Sequence, residues 1–144
     1  LKRLLTNVIL PEKHFSIEYE WAGIMGVGST KQPIIEKIDA KIGVGVYASK
    51  GILVNALSSI GDFVILNTGC IIEHECEIGI AAHIAPSVVL AGNVKVGNRT
   101  FIGANSVIKQ GIEIGDDVII GAGSVIIEHV KSNTKLVGNP GRII

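Results

Sequence analysis

Aromatic residues and net charge are both scarce in this sequence. Only 4% of its 144 residues are Phe, Trp or Tyr although 47% are hydrophobic, and its 13 basic residues balance 13 acidic ones. A net charge of zero argues against a surface that binds nucleic acid or an anionic membrane. Many aliphatic residues with few rings predict a narrow interior that accepts Ile and Val but has no room for aromatic side chains.

Long uncharged segments and paired cysteines are also lacking. The longest stretch without Asp, Glu, Lys or Arg covers residues 78–94 and includes His83, so it is shorter than the roughly 20 apolar residues of a membrane-spanning helix. The only two cysteines, Cys70 and Cys76, are predicted to be buried small side chains and not a disulfide or a metal site. We therefore expect a soluble, cytoplasmic protein that has no membrane contact.

What the sequence has in abundance is a six-residue repeat. Over residues 42–131, fifteen consecutive hexapeptides begin with a branched aliphatic residue, or once with Ala48, and carry a small or β-branched residue four positions later. Neither a helix nor an ordinary alternating strand has this period. Repeated hexapeptides are typical of a parallel β-helix, in which each hexapeptide forms one side of a triangular coil. Residues eighteen apart then lie above one another, about 4.8 Å apart, and the repeat predicts five coils.

The segments on either side of the repeat follow neither period. Residues 15–25 are apolar enough for one strand, residues 26–28 form a glycine turn, and a short helix is predicted to follow with Ile34, Ile35 and Ile38 on its apolar face. The glycine turn lacks the third glycine of a dinucleotide-binding fingerprint.

These features divide the chain into three parts. Residues 1–40 are predicted to be the remnant or end of an N-terminal α/β domain, with further sequence expected upstream of the initial Leu. Residues 41–131 form the β-helix. Residues 132–144 form a turn-rich tail, which is expected to cover the last coil because an open end would expose aliphatic side chains and unpaired strand edges.

One histidine stands between two carboxylates. His74 lies between Glu73 and Glu75, and an imidazole with a pKa near 6.5 and a carboxylate partner suits general-base catalysis. The same residues also fit a solvated histidine beside solvated glutamates. His83 follows nine residues later, half of an eighteen-residue coil, so the two histidines could not easily meet within one subunit. If subunits pack side against side in a trimer, each groove between them could receive both. The other two histidines are expected to have no chemical role: His14 and His129.

Several short segments of the repeat and its tail carry a more specific pattern. They are Leu66-Asn67-Thr68-Gly69, Ile72-Glu73-His74-Glu75-Cys76, Ile78-Gly79, His83, Ala91-Gly92-Asn93-Val94 and Gly138-Asn139-Pro140. Together they resemble the left-handed β-helix sugar acetyltransferases, of the sialic acid O-acetyltransferase and UDP-amino-sugar N-acetyltransferase type. The resemblance covers about residues 20–144. It implies an all-β fold with a left-handed parallel β-helix of five coils, and a homotrimer that transfers acetyl groups. It also implies that residues 1–40, the partial α/β segment before the β-helix, come from a domain of the nucleotide-sugar-binding type.

The resemblance also implies the chemistry. Acetyl-CoA is the expected co-substrate, with no metal, and the acceptor is an amine or hydroxyl of a sugar or nucleotide-sugar. His74 would be the general base. Glu75 would hold the imidazole, with Glu73 as the alternative. Neighbours on a regular strand face opposite ways, so the pair requires the corner of the coil to turn Glu75 back towards the ring. Gly92, one coil above His74, would direct its amide at the thioester oxygen as an oxyanion-hole donor.

Four further residues receive binding roles from the resemblance. His83 is expected near the acetyl group or the acceptor, and Asn67 near the acceptor. The backbones of Ala104 and Ala122 are expected to contact the pantetheine arm of CoA, although small alanines at these positions could equally be corners that simply fit.

Two other functions remain open at this point. A γ-class carbonic anhydrase also uses a trimeric left-handed β-helix, but it needs three histidines on one metal, and the repeat offers only His74, His83 and the distant His129. A non-catalytic β-helix could instead serve as an assembly module.

Overall fold

The computed structural model describes residues 34–35 and 40–144. This part of the chain consists of short strands joined by tight turns and contains no helix, so no helix that could span a membrane occurs in it. The strands are β1 Ile34–Ile35, β2 Lys41–Ile42, β3 Tyr47–Ala48, β4 Leu53–Val54, β5 Ser59–Ile60, β6 Ile65–Leu66, β7 Ile71–Ile72, β8 Glu77–Ile78, β9 His83–Ile84, β10 Val89–Leu90, β11 Lys95–Val96, β12 Phe101–Ile102, β13 Val107–Ile108, β14 Glu113–Ile114, β15 Ile119–Ile120, β16 Val125–Ile126, β17 Lys135–Val137 and β18 Arg142–Ile143.

These strands form the three sides of a triangular prism. Sheet I has the order β1-β4-β7-β10-β13-β16, sheet II has β14-β11-β8-β5-β2, and sheet III has β18-β17-β15-β12-β9-β6-β3. The strands of the repeat pair in parallel with partners eighteen residues away, as Val89 does with Val107. The chain turns from sheet I to II at corner I/II, then at corner II/III, and returns at corner III/I. The predicted parallel β-helix is confirmed.

The prism interior contains the two residue types that the repeat predicted. Branched aliphatic residues such as Ile72 and Ile102 are fully buried, and so are the small residues four positions after them, including Cys70 and Cys76. Buried hydroxyls are satisfied by the next coil: Thr100, for example, donates to the carbonyl of Gly115 at 2.7 Å. Four buried polar side chains share this inward position: Ser58, Thr100, Ser106 and Ser124.

The corners depend on a left-handed backbone conformation, which occurs once in every hexapeptide of the repeat except the last. At residues 45, 51, 69, 111 and 123 the residue is glycine, which adopts positive φ without strain. At the other corners a residue with a side chain adopts the left-handed conformation; examples are Glu75 at φ 61° and Asn93 at φ 56°. The side chains at these positions project from the corners, which makes the corners the places where functional groups can be presented.

The prediction of a helix over Ile34 and Ile35 was wrong. These residues form β1, which pairs in parallel with Leu53 and Val54 of β4. An unpaired edge of sheet I offers backbone hydrogen bonds to this segment, and β-branched isoleucines favour a strand. The predicted strand at residues 15–25, the glycine turn, Ile38 and the rest of the proposed α/β segment lie outside the described residues.

The repeat ends slightly earlier than predicted. After β16, Val130 pairs with Ile114, sixteen residues before it, so the last hexapeptide does not keep the eighteen-residue register. The tail then covers the final coil as predicted. β17 pairs with β15, β18 folds back antiparallel on β17, and the amide of Gly141 donates to the carbonyl of Val125 at 2.8 Å.

Candidate active site

His74 and Glu75 form a hydrogen-bonded pair at corner I/II, immediately after β7. The positive φ of Glu75 turns its side chain back, and its Oε2 lies 3.0 Å from Nδ1 of His74. Glu73 is instead held by Asn55, whose Nδ2 donates to Glu73 Oε2 at 2.7 Å. The structure therefore pairs the imidazole with Glu75. Because a carboxylate only accepts hydrogen bonds, this pairing assigns the ring proton to Nδ1 and leaves a lone pair on Nε2.

Gly92 lies against the other edge of the same imidazole. It belongs to the next coil, where the amide of Asn93 donates to the carbonyl of His74 at 2.8 Å. A methyl group built on Gly92 would stand 2.5 Å from both Cε1 and Nε2 of His74, so the ring occupies the space that any side chain would need. Within residues 40–144, no protein acceptor is hydrogen-bonded to the amide of Gly92. A basic nitrogen and an available N–H donor thus lie side by side.

The two cysteines take no part in this arrangement. Both are completely buried and unpaired. Burial raises the pKa of Cys70 to about 12 and raises that of Cys76 as well, and the Cys76 thiol donates to the carbonyl of Ala91 at 3.3 Å. They are thiols packed in the core, as predicted, and are unsuited to act as nucleophiles.

His83 lies on the outer surface of sheet III, in β9. Its ring meets Phe101 edge to face, with the centroids 5.1 Å apart and the planes at 86°. Its Nε2 is buried and has no hydrogen-bond partner among the described residues. Burial also lowers the pKa of His83, which favours the neutral ring. The outward residues of the same sheet form the sheet III face, an apolar row around the histidine: Tyr47, Ile65, His83, Phe101 and Ile119.

The three remaining predicted residues lie at corner III/I, at the end of the same sheet. Asn67 Oδ1 accepts a hydrogen bond from the amide of Thr68 at 2.8 Å. Ala104 and Ala122 stand on successive coils, where Ala104 is half-buried and Ala122 is exposed. Their small side chains leave this corner open.

The predicted site residues therefore separate into two half-sites. The base half-site contains His74, Glu75 and Gly92 at corner I/II. The sheet III half-site contains Asn67, His83, Ala104 and Ala122. Sheet III is the side of the triangle opposite corner I/II, so one chain cannot bring the two half-sites together.

His129 makes a hydrogen bond within its own chain. Its Nδ1 accepts from the amide of Glu113 at 3.0 Å. A carbonic anhydrase-like metal site would require His129 as its third histidine, and this nitrogen is already occupied. Residues 40–144 contain no group of three His, Cys, Asp or Glu side chains that could hold a metal ion.

Known proteins share this fold and much of the sequence. A family model described as the hexapeptide repeat of succinyl-transferase matches residues 93–128. The perosamine N-acetyltransferase PerB from Caulobacter crescentus, solved with CoA and GDP-perosamine, is 39% identical over 73% of this chain and 51% of its own, with a TM-score of 0.73. The chain belongs to the left-handed β-helix acyltransferase family.

Two other acyltransferases support this membership. The acetyltransferase domain of PglB from Neisseria gonorrhoeae, solved with acetyl coenzyme A, is 32% identical over 73% of this chain and 51% of its own, with a TM-score of 0.72. LpxA from Acinetobacter baumannii is 28% identical over 83% of this chain and 50% of its own, with a TM-score of 0.72. Comparison with curated protein sequences gives no match. The chain spans about half the length of these solved acyltransferases.

Three residues that the sequence did not indicate as functional contact the predicted site residues. Asn55 binds Glu73, Ser58 binds the backbone of the His74 corner, and Phe101 contacts His83. The eighteen-residue spacing could have revealed two of them, because Asn55 precedes Glu73, and Phe101 follows His83, by one coil. Ser58 was recognised only as an inward small residue.

Proposed function

We propose that the protein transfers an acetyl group from acetyl-CoA to an amine or hydroxyl of a sugar or nucleotide-sugar. The observation that carries this proposal is the His74 ring, which is held by Glu75 on one edge and lies against the bare backbone of Gly92 on the other. The relatives support the chemistry, since they include an N-acetyltransferase solved with CoA and GDP-perosamine. The first acceptor to test is an amino group on a nucleotide-activated sugar. The reason is that the chain is more similar in sequence to the perosamine N-acetyltransferase, at 39% identity, than to LpxA, at 28%.

The base half-site supports direct attack on the thioester. Nε2 of His74 removes a proton from the acceptor amine or hydroxyl as its nitrogen or oxygen attacks the acetyl carbonyl. The amide of Gly92 donates a hydrogen bond to the oxygen that becomes negative, an interaction worth a few kcal/mol. Glu75 stabilises the imidazolium, which then returns the proton to the departing CoA sulfur. No covalent enzyme intermediate is required, which agrees with the buried thiols.

The sheet III half-site is assigned to binding. The neutral His83 has an unpartnered Nε2 with which to contact the acetyl group or the acceptor, and Asn67 is assigned to the acceptor. The open corner at Ala104 and Ala122 suits the pantetheine arm of CoA, held through backbone groups. No metal is assigned to the reaction.

A homotrimer would complete the site. The base half-site and sheet III lie on opposite parts of one prism, so only a neighbouring copy can join them, and a closed three-fold ring supplies this contact to every subunit. The sheet III face supports the assembly because it exposes Tyr47, Phe101 and Ile119, each 38–44% accessible in one chain. Light scattering should give the trimer mass at micromolar concentration, and a stable monomer would contradict the assembly.

The cytoplasm is the proposed location, because acetyl-CoA and nucleotide-sugars are the proposed substrates and Cys70 and Cys76 are both free thiols. A net charge of zero supports small-molecule substrates over nucleic acid as partners.

A substrate screen tests the function. Purified protein is mixed with acetyl-CoA and a panel of UDP- and GDP-amino sugars, the corresponding hydroxy sugars and sialic acids, and release of the CoA thiol is followed. We expect turnover with one acceptor class, and we expect His74→Ala to lower it by roughly a hundredfold or more. If calorimetry detects no binding of CoA or acetyl-CoA, the acetyltransferase proposal fails and a non-catalytic assembly module becomes the better description.

A further inference from the structure

The corner that carries His74 is fastened to the coil below it through both backbone and side chains. Ser58 Oγ donates to the carbonyl of Glu73 at 2.8 Å and accepts from the amide of Cys76 at 3.2 Å. The amide of Glu75 donates to the carbonyl of Ala56 at 3.0 Å. One buried hydroxyl therefore holds both ends of the segment that presents the imidazole and its carboxylate partner.

A side-chain contact from the same lower coil separates the two glutamates. Both Glu73 and Glu75 adjoin His74 in sequence, and either carboxylate could compete for Nδ1. Asn55 donates to Glu73 Oε2 at 2.7 Å, which is short for an N–H···O bond and typical of a charged acceptor. With Glu73 engaged, Glu75 is the carboxylate that remains for the ring.

We infer that Ser58 and Asn55 are positioning residues for the His74–Glu75 pair. This inference rests on the proposed acetyltransferase function. Neither residue touches the reacting atoms; Ser58 sets the backbone of the 73–76 corner, and Asn55 determines which glutamate orients the imidazole. Removing either should lower turnover by misplacing Nε2, while the coils that bind CoA remain unchanged.

The chain contains a matched control for Ser58. Thr100 makes the same pair of contacts at corner II/III, where its hydroxyl donates to the carbonyl of Gly115 at 2.7 Å and accepts from the amide of Val118 at 3.1 Å. Both hydroxyls are fully buried. Loss of either removes the same bonds from the fold, but only Ser58 lies beneath His74.

The test compares Ser58→Ala, Ser58→Thr and Thr100→Val with the parent protein. We expect Ser58→Ala and Thr100→Val to lower Tm by similar amounts. Ser58→Ala should also lower kcat by roughly tenfold to a hundredfold, the effect of a displacement of up to about 1 Å at a reacting group, with little change in KM for acetyl-CoA. Ser58→Thr should restore kcat, because Thr100 shows that threonine fits this inward position. If Ser58→Ala does not fold, Ser58→Val replaces it, since Val94 is buried at the equivalent position two coils above.

Asn55 is tested separately. Asn55→Ala frees Glu73 to compete for the imidazole, so kcat should fall, and adding Glu73→Gln should recover much of it by removing the competing charge. A structural role alone would give the same loss with or without Glu73→Gln. That result would overturn the assignment of Asn55.

A readout that does not depend on activity separates this inference from the proposed function. Long-range ¹H–¹⁵N NMR spectra of the histidine rings report which nitrogen carries the proton. The Nδ1–H form should dominate for His74 in the parent and in Thr100→Val, and it should be depleted in Ser58→Ala, where the ring no longer meets Glu75. In Asn55→Ala the proton should stay on Nδ1, but the His74 ring resonances should shift because Glu73 then competes as the acceptor. If the parent shows the Nδ1–H form but transfers no acetyl group, only the proposed function is contradicted. Unchanged His74 ring resonances and unchanged kcat in both variants would refute the positioning role.

Discussion

The contact between His74 and Gly92 yields a sharp prediction, because it is a contact between a movable ring and a rigid backbone. An alanine methyl at Gly92 would lie 2.5 Å from Cε1 and Nε2 of the ring, whereas ordinary carbon contacts are about 3.5–4.0 Å. The ring must therefore move by about 1 Å. It is free to do so, since 52% of the His74 side chain is exposed.

The expected consequence is a loss of turnover without a loss of stability. A displacement of about 1 Å at a reacting group costs on the order of a hundredfold in rate, so Gly92→Ala should lower kcat by about that factor. Gly92 does not have the positive φ that penalises alanine. Reduced freedom of the unfolded chain should then raise stability by about 0.4–1 kcal/mol.

Gly61→Ala provides the contrasting control. Its methyl would meet backbone atoms of Ile78, Gly79 and Ile80 at 2.9 Å, and these cannot rotate away, so Tm should fall. Thermal melting and CoA-thiol release are measured on both variants. The reasoning about the ring fails if Gly92→Ala keeps more than half of the parent kcat, or if it melts as low as Gly61→Ala.

The base half-site, the core and His83 each give one further prediction. His74→Ala should lower turnover by roughly a hundredfold to ten-thousandfold with little effect on CoA affinity, and an active His74→Ala beside an inactive His83→Ala would reverse their assigned roles. Ile102→Asp places an unpaired charge at a fully buried position and should abolish soluble folded protein; unchanged melting would contradict the inward assignment. Burial lowers the pKa of His83, so the unfolded chain binds more protons than the folded one and stability should fall as pH drops through about 6.5. His83→Gln should reduce the difference in Tm between pH 7.5 and 5.5, and an equal difference in both proteins would count against this.

The repeat predicted the fold well because its period is a direct consequence of the geometry. An inward residue every sixth position can only be apolar or small, and that requirement is visible in a single sequence. Two predictions were wrong, the register of the last hexapeptide and the helix at residues 34–35, because the inward pattern does not distinguish the alternatives there. Val130 is buried whether the last coil spans eighteen residues or sixteen, so its apolar character could not reveal the shorter register. Ile34 and Ile35 precede the repeat, and their strand depends on pairing with β4.

The candidate site was harder to predict, because its chemistry lies in the corners. The repeat placed Gly92 above His74, and both positions are confirmed as neighbours. It could not decide between Glu73 and Glu75, since that choice depends on the left-handed φ of Glu75 and on the hydrogen bond from Asn55 to Glu73. Neither feature has a signature in the hexapeptide pattern.

The half-coil offset between His74 and His83 connects assembly with function. It places His83 on the side of the prism that faces away from its own base half-site, and there its buried Nε2 has no partner within residues 40–144. An unsatisfied buried polar group lowers the free energy of unfolding by about 1–3 kcal/mol, and no contact within one chain compensates for this loss. A neighbouring subunit that brings its own His74 corner to sheet III would enclose His83 in a binding groove, where a ligand could satisfy Nε2. In this arrangement the same contact that covers the apolar sheet III face also completes the site, so loss of the trimer and loss of activity should occur together.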